Sequence, residues 1–151
     1  MTAFRVRPAE REDAAAWLGM RQALWPEDAE GEHAEEIEEF FSGRSKEPLA
    51  VLIAEGESGR LIGIAELSIR TSAEGCRTDR VAYLEGWFVM PESRRQGVGR
   101  ALIAAAEEWG RAYDCDELAS DTQPENEASV AAHRAAGFTD AGVVQCYRKE
   151  L

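Results

Sequence analysis

Hydrophobic and polar positions along this chain of 151 residues follow two different periods. A period of two, typical of strands, occurs at residues 3–8, 49–55, 60–70, 80–90, 116–121 and 143–149. A period near 3.6, typical of amphipathic helices, occurs at residues 13–24, 29–41, 98–113 and 126–136. The resulting order, β-α-α-β-β-β-α-β-α-β, predicts a single mixed α/β domain over residues 1–151.

The same spacing predicts which side chains face the core. Inward positions of the two longest helices are predicted at Ala34, Ile37 and Phe41, and at Val98, Leu102, Ala105, Trp109 and Ala112. In the strand "RVAYLEGWFVM", alternation places one set of side chains on a common face: Val81, Tyr83, Glu85, Trp87 and Val89. A carboxylate among apolar neighbours is unfavourable unless it is paired. Glu85 is therefore expected to meet a cation, either a ligand ammonium or an internal arginine.

Charge and composition narrow the classes of function. Acidic residues outnumber basic ones, 29 to 17, and the formal net charge is -12. Such a surface disfavours nucleic acid and anionic membranes as partners and attracts cations, although solubility alone also accounts for it. No apolar run approaches the ~20 residues of a membrane span, and "MTAFRVRPAERED" lacks an apolar signal core, so the cytoplasm is expected.

Cysteine and histidine give no sign of a metal site. The three cysteines and two histidines are not spaced as metal ligands, so no metal is predicted. Cys115 and Cys146 are instead predicted to be buried small hydrophobic side chains.

A basic, glycine-containing turn interrupts the acidic chain at "PESRRQGVGRAL", residues 91–102. Gly97 and Gly99 permit close approach to the backbone, and the following helix offers unpaired N–H groups with the positive end of its dipole. The segment predicts a phosphate site, with an ordinary strand-to-helix turn as the alternative. It lacks the Gly-Lys-Ser/Thr of a Walker loop, and Leu102 stands where a dinucleotide fingerprint has its third glycine.

"FVMPESRRQGVGRAL" resembles the acetyl-CoA pyrophosphate motif of the GNAT acetyltransferase superfamily, and "HRAAGF" is similar to its closing helix. With "MRQALWPED", "YLEGWFVMPESRRQGVGRALI" and "ELASDT", the chain most resembles the aminoglycoside 6'-N-acetyltransferases. The resemblance implies the GNAT acyl-CoA N-acyltransferase fold, a mostly antiparallel central sheet flanked by helices. It also implies acetyl-CoA as co-substrate, a homodimer, and direct acetyl transfer to a primary amine in a ternary complex.

The resemblance assigns residues to the coenzyme. Trp87, Phe88 and Val89 would line the acetyl and pantetheine arm, and Asn126 would contact CoA. The pyrophosphate would be held by Arg94, Arg95, Gln96, Gly97, Val98, Gly99 and Arg100. His133 stands where many GNAT enzymes have a tyrosine that protonates the leaving thiolate; a structural hydrogen bond is the alternative.

The resemblance also assigns residues to the acceptor. Asp121 would bind the aminoglycoside and act as base, or else cap the turn that follows it. Trp25 would line the cleft, with core packing as the alternative, and Asp28 and neighbouring Glu27 would bind a polycation. Glu85 would take a substrate ammonium.

Two departures from the resembled enzymes affect only the acceptor side. The loop after residue 70 lacks a tyrosine of the substrate site, and Gly142 stands where a carboxylate is common, for which Asp140 would compensate. Two further hypotheses therefore stay open. One is an acetyltransferase for another small cationic amine, such as a polyamine, and the other is an acetyl-CoA-binding module without catalysis.

Overall fold

The computed structural model describes residues 3–151, apart from the side chain of Glu30. One five-stranded sheet has the spatial order β1-β2-β3-β4-β5. The strands are β1 Arg5–Pro8, β2 Ala50–Glu55, β3 Leu61–Arg70, β4 Val81–Val89 and β5 Leu118–Ser120. The first three neighbouring pairs are antiparallel, and β4 and β5 are parallel. The expected mostly antiparallel mixed sheet is confirmed.

Helices cover both faces of the sheet. They are α1 Ala14–Leu24, α2 Glu30–Phe41, α3 Val98–Ala112 and α4 Glu127–Ala135. Leu52 and Ala54 of β2 pack in one cluster with residues of α3, whereas Val51 and Ile53 pack in a second cluster with residues of α1 and α2. Alternate side chains of one strand thus reach two separate cores, as the pleat requires.

Two predicted helix faces are partly wrong. In α2, Ile37 is buried as expected, but Ala34 is exposed and His33 occupies the buried position instead. In α3, Val98 and Leu102 are buried together with Ile103, Ala106 and Gly110, while Ala112 is exposed. A small glycine and alanines face the sheet because the helix lies close to it; a Cβ on Gly110 would lie 3.1 Å from the Cβ of Ala82.

The predicted common face of β4 is wrong because the strand contains a bulge. Leu67 pairs with Leu84 and Glu66 pairs with Gly86, so Glu85 is the extra residue. A bulge reverses the alternation of side chains beyond it. Val81 and Tyr83 accordingly pack in a small cluster with Ala119, whereas Trp87 and Val89 join the α3 core.

The second half of β4 has a neighbour on one side only. Its parallel pairing with β5 ends at Leu84–Ser120, while pairing with β3 continues to Val89. The open edge from Glu85 to Val89 leads directly into the turn at residues 90–97. The fold therefore places the exposed backbone of a central strand beside the basic turn.

The predicted final strand at residues 143–149 is wrong, because residues 139–151 form an exposed arm without regular structure. A strand needs the N–H and C=O groups of a neighbouring strand, and no strand of this chain's described residues pairs with the arm. Cys115 is buried as predicted, but Cys146 lies on the arm and is exposed. Among the described helices, none has the length and apolar character that crossing a membrane requires.

Candidate active site

The basic turn is shaped as an anion cradle. Arg95 and Gly97 have left-handed backbone angles, φ 64 and φ 84, and Gly97 caps the N-terminus of α3. Within residues 3–151, no backbone or side-chain acceptor is paired with the N–H groups of residues 95–100. Successive unpaired N–H groups at a helix N-terminus form a concave site for phosphate oxygens. Space is available, since nothing lies within 4 Å of a Cβ built on Gly97.

No arginine of the turn forms an ion pair with a carboxylate among the described residues. Arg94 donates from Nε to the Val89 carbonyl at 2.8 Å and lies over the Phe88 ring at 5.5 Å. Arg100 donates to the Ala135 carbonyl at 2.9 Å, which joins α3 to the end of α4. Both contacts fix the turn while leaving the charge available to an anion.

Two buried polar atoms near the turn have no partner within residues 3–151. They are Trp87 Nε1 and Gln96 Oε1. The Trp87 ring packs on Gly99, where a Cβ would lie 3.2 Å from Cζ2, and stands edge-on to His133 at 5.1 Å. Buried donors and acceptors are almost always satisfied, so both atoms are suited to a ligand or water in this cleft.

Phe88 and Val98 do not face the cleft with their side chains. Phe88 packs against the α1 and α2 cluster, on the sheet face opposite Trp87 and Val89. Val98 is 1% exposed in the α3 core. The Val98 side chain is therefore not available to a coenzyme, and the Phe88 side chain points away from Trp87.

His133 is held by both ring nitrogens. Nδ1 lies 2.8 Å from the Ser129 carbonyl oxygen, and Nε2 lies 2.8 Å from the Ser120 hydroxyl. A carbonyl oxygen only accepts, so Nδ1 donates to Ser129, and Nε2 shares a hydrogen bond with the Ser120 hydroxyl. The geometry favours the structural alternative, in which His133 joins α4 to β5 and supports Trp87.

Asn126 caps α4, and its side chain accepts from the Ser129 N–H at 3.1 Å. The cap explains why the helix begins there. It leaves the amide NH₂ of Asn126 exposed and available to a ligand.

An acidic cavity opens on the other side of β4, at the end of α1. It is lined by Arg21, Trp25, Asp28, Glu36, Glu47, Glu66 and Glu85. Of the residues that the resemblance assigns to the acceptor, Trp25, Asp28 and Glu85 line this cavity, whereas Asp121 does not. Asp140 and Glu27 are not part of this lining, and Asp140 instead pairs with Arg134 at 2.5 Å on the surface.

A buried ion-pair network forms the floor of this acidic cavity. Arg21 donates to both oxygens of Glu66, at 2.7 and 2.8 Å, and to Glu36 at 2.7 Å. Burial lowers the pKa of Arg21, but Glu66 and Glu36 outweigh burial and hold that pKa above its ordinary value. Arg21 therefore stays charged and neutralises the deepest carboxylate.

The network also supports Trp25 from below. The Arg21 guanidinium lies 5.3 Å from the centre of the Trp25 ring, and His33 stacks on that ring at 6.3 Å. Sequence reasoning missed His33 and the role of Arg21. An arginine on the apolar side of α1, opposite the lone Glu66 within β3, was the available signal.

Glu85 meets an internal arginine, one of the two predicted alternatives. Arg70 donates to its two oxygens at 2.6 and 3.0 Å, and Ser68 donates a further hydrogen bond. The hydrogen bond to Glu85 raises the pKa of Arg70. The negative charge of Glu85 is therefore largely offset in this structure.

Asp121 follows the last residue of β5 and is exposed. Its carboxylate accepts a hydrogen bond from the buried hydroxyl of Tyr83, and no backbone N–H of the described chain donates to it. Burial and the bond to Asp121 raise the pKa of Tyr83 well above its ordinary value. The predicted alternative of a capping role is therefore not what the structure contains.

The cradle, the open strand edge and the adjoining acidic cavity are the parts that an acyl-CoA-dependent N-acyltransferase requires. Residues 17–138 match the model of the acetyltransferase (GNAT) family, and the chain belongs to that family. This confirms the family resemblance and the expected fold.

Two relatives that match this chain over nearly its whole length are aminoglycoside N(6')-acetyltransferases. The chain is 56% identical to the aminoglycoside N(6')-acetyltransferase type 1 of Klebsiella aerogenes, over 97% of this chain and 96% of that one. It is 40% identical to the enzyme of the same name from Stenotrophomonas maltophilia, over 97% and 93%.

Solved structures with the same fold include an aminoglycoside N-acetyltransferase. The aminoglycoside N-acetyltransferase AAC(6')-Iy in complex with CoA has a TM-score of 0.91 at 37% identity, covering 100% of this chain and 97% of that one. The same enzyme in complex with the bisubstrate analogue CoA-S-monomethyl-acetylneamine has a TM-score of 0.90.

Proposed function

We propose that this chain is an aminoglycoside 6'-N-acetyltransferase that moves the acetyl group of acetyl-CoA to the 6'-amine of an aminoglycoside. The observation that carries the proposal is the position of the acidic cavity beside the strand edge that ends in the anion cradle. The full-length similarity to aminoglycoside N(6')-acetyltransferases supports the acceptor. Resistance to such antibiotics would follow in cells that express the chain.

The coenzyme fits the basic side of the site. The N–H groups of residues 95–100 would bind its diphosphate, and Arg94, Arg95 and Arg100 would add positive charge. The unpartnered Trp87 Nε1 would donate to the pantetheine arm along the open edge of β4. Gln96 Oε1 and the exposed amide of Asn126 are further polar groups that a coenzyme could contact.

The reaction needs positioning more than covalent help from the protein. The neutral amine nitrogen attacks the thioester carbonyl carbon, the C–S bond breaks, and CoA leaves as a thiolate that takes a proton from water. A β4 N–H on the unpaired side beyond Leu84 would stabilise the oxyanion. Asp121 would accept the proton that the amine loses, directly or through one water.

The acidic cavity suits a polycationic sugar. The Trp25 face attracts ammonium groups, and Asp28 lines the cavity without an ion-pair partner within residues 3–151. Glu85 would bind a substrate ammonium only in competition with Arg70. Asp140 would contribute only by leaving its pair with Arg134.

A panel of amines tests this function. Thiol release from acetyl-CoA is measured with kanamycin-type and gentamicin-type aminoglycosides and with spermidine, and the acetylated position is read by NMR. We expect turnover with the aminoglycosides at the 6'-amine, and a loss of roughly 10²- to 10⁴-fold in kcat for Asp121→Asn. Turnover of spermidine alone would favour the polyamine alternative, and CoA binding without any turnover would favour the non-catalytic module.

We infer that the protein works as a homodimer, because the C-terminal arm exposes apolar side chains that a folded chain normally covers. Val143 is 80% exposed, Tyr147 is 91% exposed and Val144 is 56% exposed. A second copy would supply the missing strand neighbours and cover these residues. Light scattering should give a dimer for the wild type and a monomer for Val143→Asp/Tyr147→Asp; an unchanged mass for that variant would contradict the inference.

The cytoplasm is the proposed compartment. Cys76, Cys115 and Cys146 are all free thiols in the structure. Free thiols in a small domain suit a reducing compartment. Fractionation of expressing cells tests the location, and recovery of the protein outside the cytoplasm would contradict it.

A further inference from the structure

Asp121 and Glu85 are held in two different ways. Glu85 is paired with the Arg70 guanidinium, whereas Asp121 is bound only by the neutral hydroxyl of Tyr83 among the described residues. The Arg70–Glu85 pair is in contact with the Tyr83–Asp121 pair, because the Arg70 guanidinium lies 3.6 Å from the centre of the Tyr83 ring. Of these two carboxylates, Asp121 is thus the one whose charge no arginine offsets.

We propose that Tyr83 is a positioning residue that holds the Asp121 carboxylate in the orientation needed to take a proton from the acceptor amine. The proposal rests on the proposed function, in which Asp121 is the base. It assigns a role in the reaction to a side chain that never touches the reacting atoms.

The need for a holding residue follows from where Asp121 lies. The residue follows the end of β5, belongs to no helix or strand and is exposed. An exposed aspartate outside regular structure samples several rotamers, and a base must be within hydrogen-bond reach of its proton. A fixed donor beneath the carboxylate removes this freedom without closing its solvent side.

Tyr83 is well fixed for that purpose. Tyr83 is buried, with 7% of its surface exposed, and it packs with Val81 and Ala119. Arg70 covers one face of the ring and is itself anchored on Glu85 by two hydrogen bonds.

The chemistry of the hydroxyl suits a donor and not a second base. Burial, followed by the bond to Asp121, raises the pKa of Tyr83, so the hydroxyl keeps its proton at neutral pH. The hydroxyl donates to Oδ2 of Asp121, which leaves Oδ1 for the amine. A neutral donor also leaves the negative charge of the base in place.

Tyr83→Phe tests the proposal, because it removes the hydroxyl and keeps the ring that packs against Arg70. With an aminoglycoside that the wild type acetylates, we expect kcat to fall about tenfold while the KM for acetyl-CoA stays within twofold. In an Asp121→Asn background the same substitution should cause no further loss, since the hydroxyl then has no base to orient.

A matched substitution controls for loss of any tyrosine hydroxyl. Tyr113 is half-exposed and its ring lies on Trp109, at the end of α3 that is remote from the turn. Tyr113→Phe should leave kcat unchanged. Thermal unfolding of each variant separates a change in rate from a loss of folded protein.

Failure of the proposed function and failure of the positioning role of Tyr83 give different results. A wild-type protein that acetylates no amine contradicts the proposed function itself. Turnover with equal kcat in the wild type and Tyr83→Phe contradicts the positioning role alone. An equal loss in the wild-type and Asp121→Asn backgrounds also overturns it, because the effect would then be a structural one that does not pass through Asp121.

Discussion

Arg21 and Glu66 form a doubly hydrogen-bonded ion pair beneath the acidic cavity, with side chains only 4% and 2% exposed. Trp17 Nε1 donates to the same carboxylate at 2.8 Å. Each charge is tolerated inside the protein because the other is present. The pair joins α1 to β3, and its Arg21 guanidinium packs against the Trp25 ring.

Glu66→Gln should therefore destabilise the protein strongly. The substitution leaves the Arg21 charge buried with only the partly exposed Glu36 as partner. We expect the free energy of unfolding to fall by roughly 3–5 kcal/mol, seen as a lower urea midpoint at unchanged m value.

Glu108→Gln is the matched control for a pair on the surface. Glu108 and Arg111 are 76% and 64% exposed, so the urea midpoint should hardly change. Equal effects of the two substitutions would show that burial of the Arg21–Glu66 pair does not determine its contribution.

Gly86→Ala should weaken acceptor binding without affecting the coenzyme. A Cβ at this position would lie 2.7 Å from Cη2 of Trp25 and 3.4 Å from Leu24, so the Trp25 ring must move. We expect a five- to fiftyfold rise in the KM for the aminoglycoside, with the KM for acetyl-CoA unchanged, on the order of 1–2 kcal/mol of lost binding. Steady-state kinetics with each substrate varied in turn measures both constants.

Gly19→Ala provides the control for that prediction. Gly19 lies on the exposed face of α1, and nothing is within 4 Å of its Cβ position. The substitution should leave both KM values unchanged and stabilise the helix by about 0.5–1 kcal/mol. A Gly86→Ala enzyme with wild-type kinetics would show that Trp25 does not contribute to the acceptor site.

Gly97→Ala should weaken the binding of the coenzyme. Gly97 has φ +84, a left-handed angle that costs an alanine roughly 1–2 kcal/mol. Because space is available for the methyl group, the expected effect is a shift of the N–H groups around the turn and not a clash. The KM for acetyl-CoA should rise about tenfold while the aminoglycoside KM stays near its wild-type value; isothermal titration with CoA provides a second measurement.

Local periodicity predicted the elements and the basic turn well, because both depend on residues close in sequence. The helix at 98–113 and the turn at 94–100 follow from spacing and from the backbone freedom of two glycines. The family motif lies in the same segment. The order of elements could therefore be predicted from the sequence except for the last strand.

Contacts between distant residues were not predictable in the same way. The bulge at Glu85 depends on register with β3, and a period of two carries no sign of it. Arg70 and Tyr83 were missed because their partners Glu85 and Asp121 are defined by the packed sheet. The residues at 143–149 have a strand-like pattern, but a strand forms only where another strand is available to pair.

A pH dependence of stability is expected from Asp13. This buried carboxylate, 5% exposed, accepts two hydrogen bonds from Arg7, at 2.7 and 2.9 Å. The Arg7 hydrogen bond lowers the pKa of Asp13, and the Glu10 N–H lowers it further, against the opposing effect of burial. A folded pKa below the unfolded value, about 3.9, means that the stabilisation is complete above that pH and is lost as the pH falls through the folded pKa.

The comparison of wild type with Asp13→Asn isolates this contribution from the other carboxylates. At pH 7 the variant should unfold at a clearly lower urea concentration, because it loses the charge that pairs with Arg7 and joins β1 to the start of α1. As the pH falls below about 3.9 the difference between the two proteins should shrink, and it should vanish below the lower, folded pKa of Asp13, where protonated Asp13 no longer offers Arg7 a negative charge. A difference in unfolding free energy that stays constant from pH 7 to pH 2.5 would mean that the Arg7–Asp13 contact stabilises the fold by packing and not by charge.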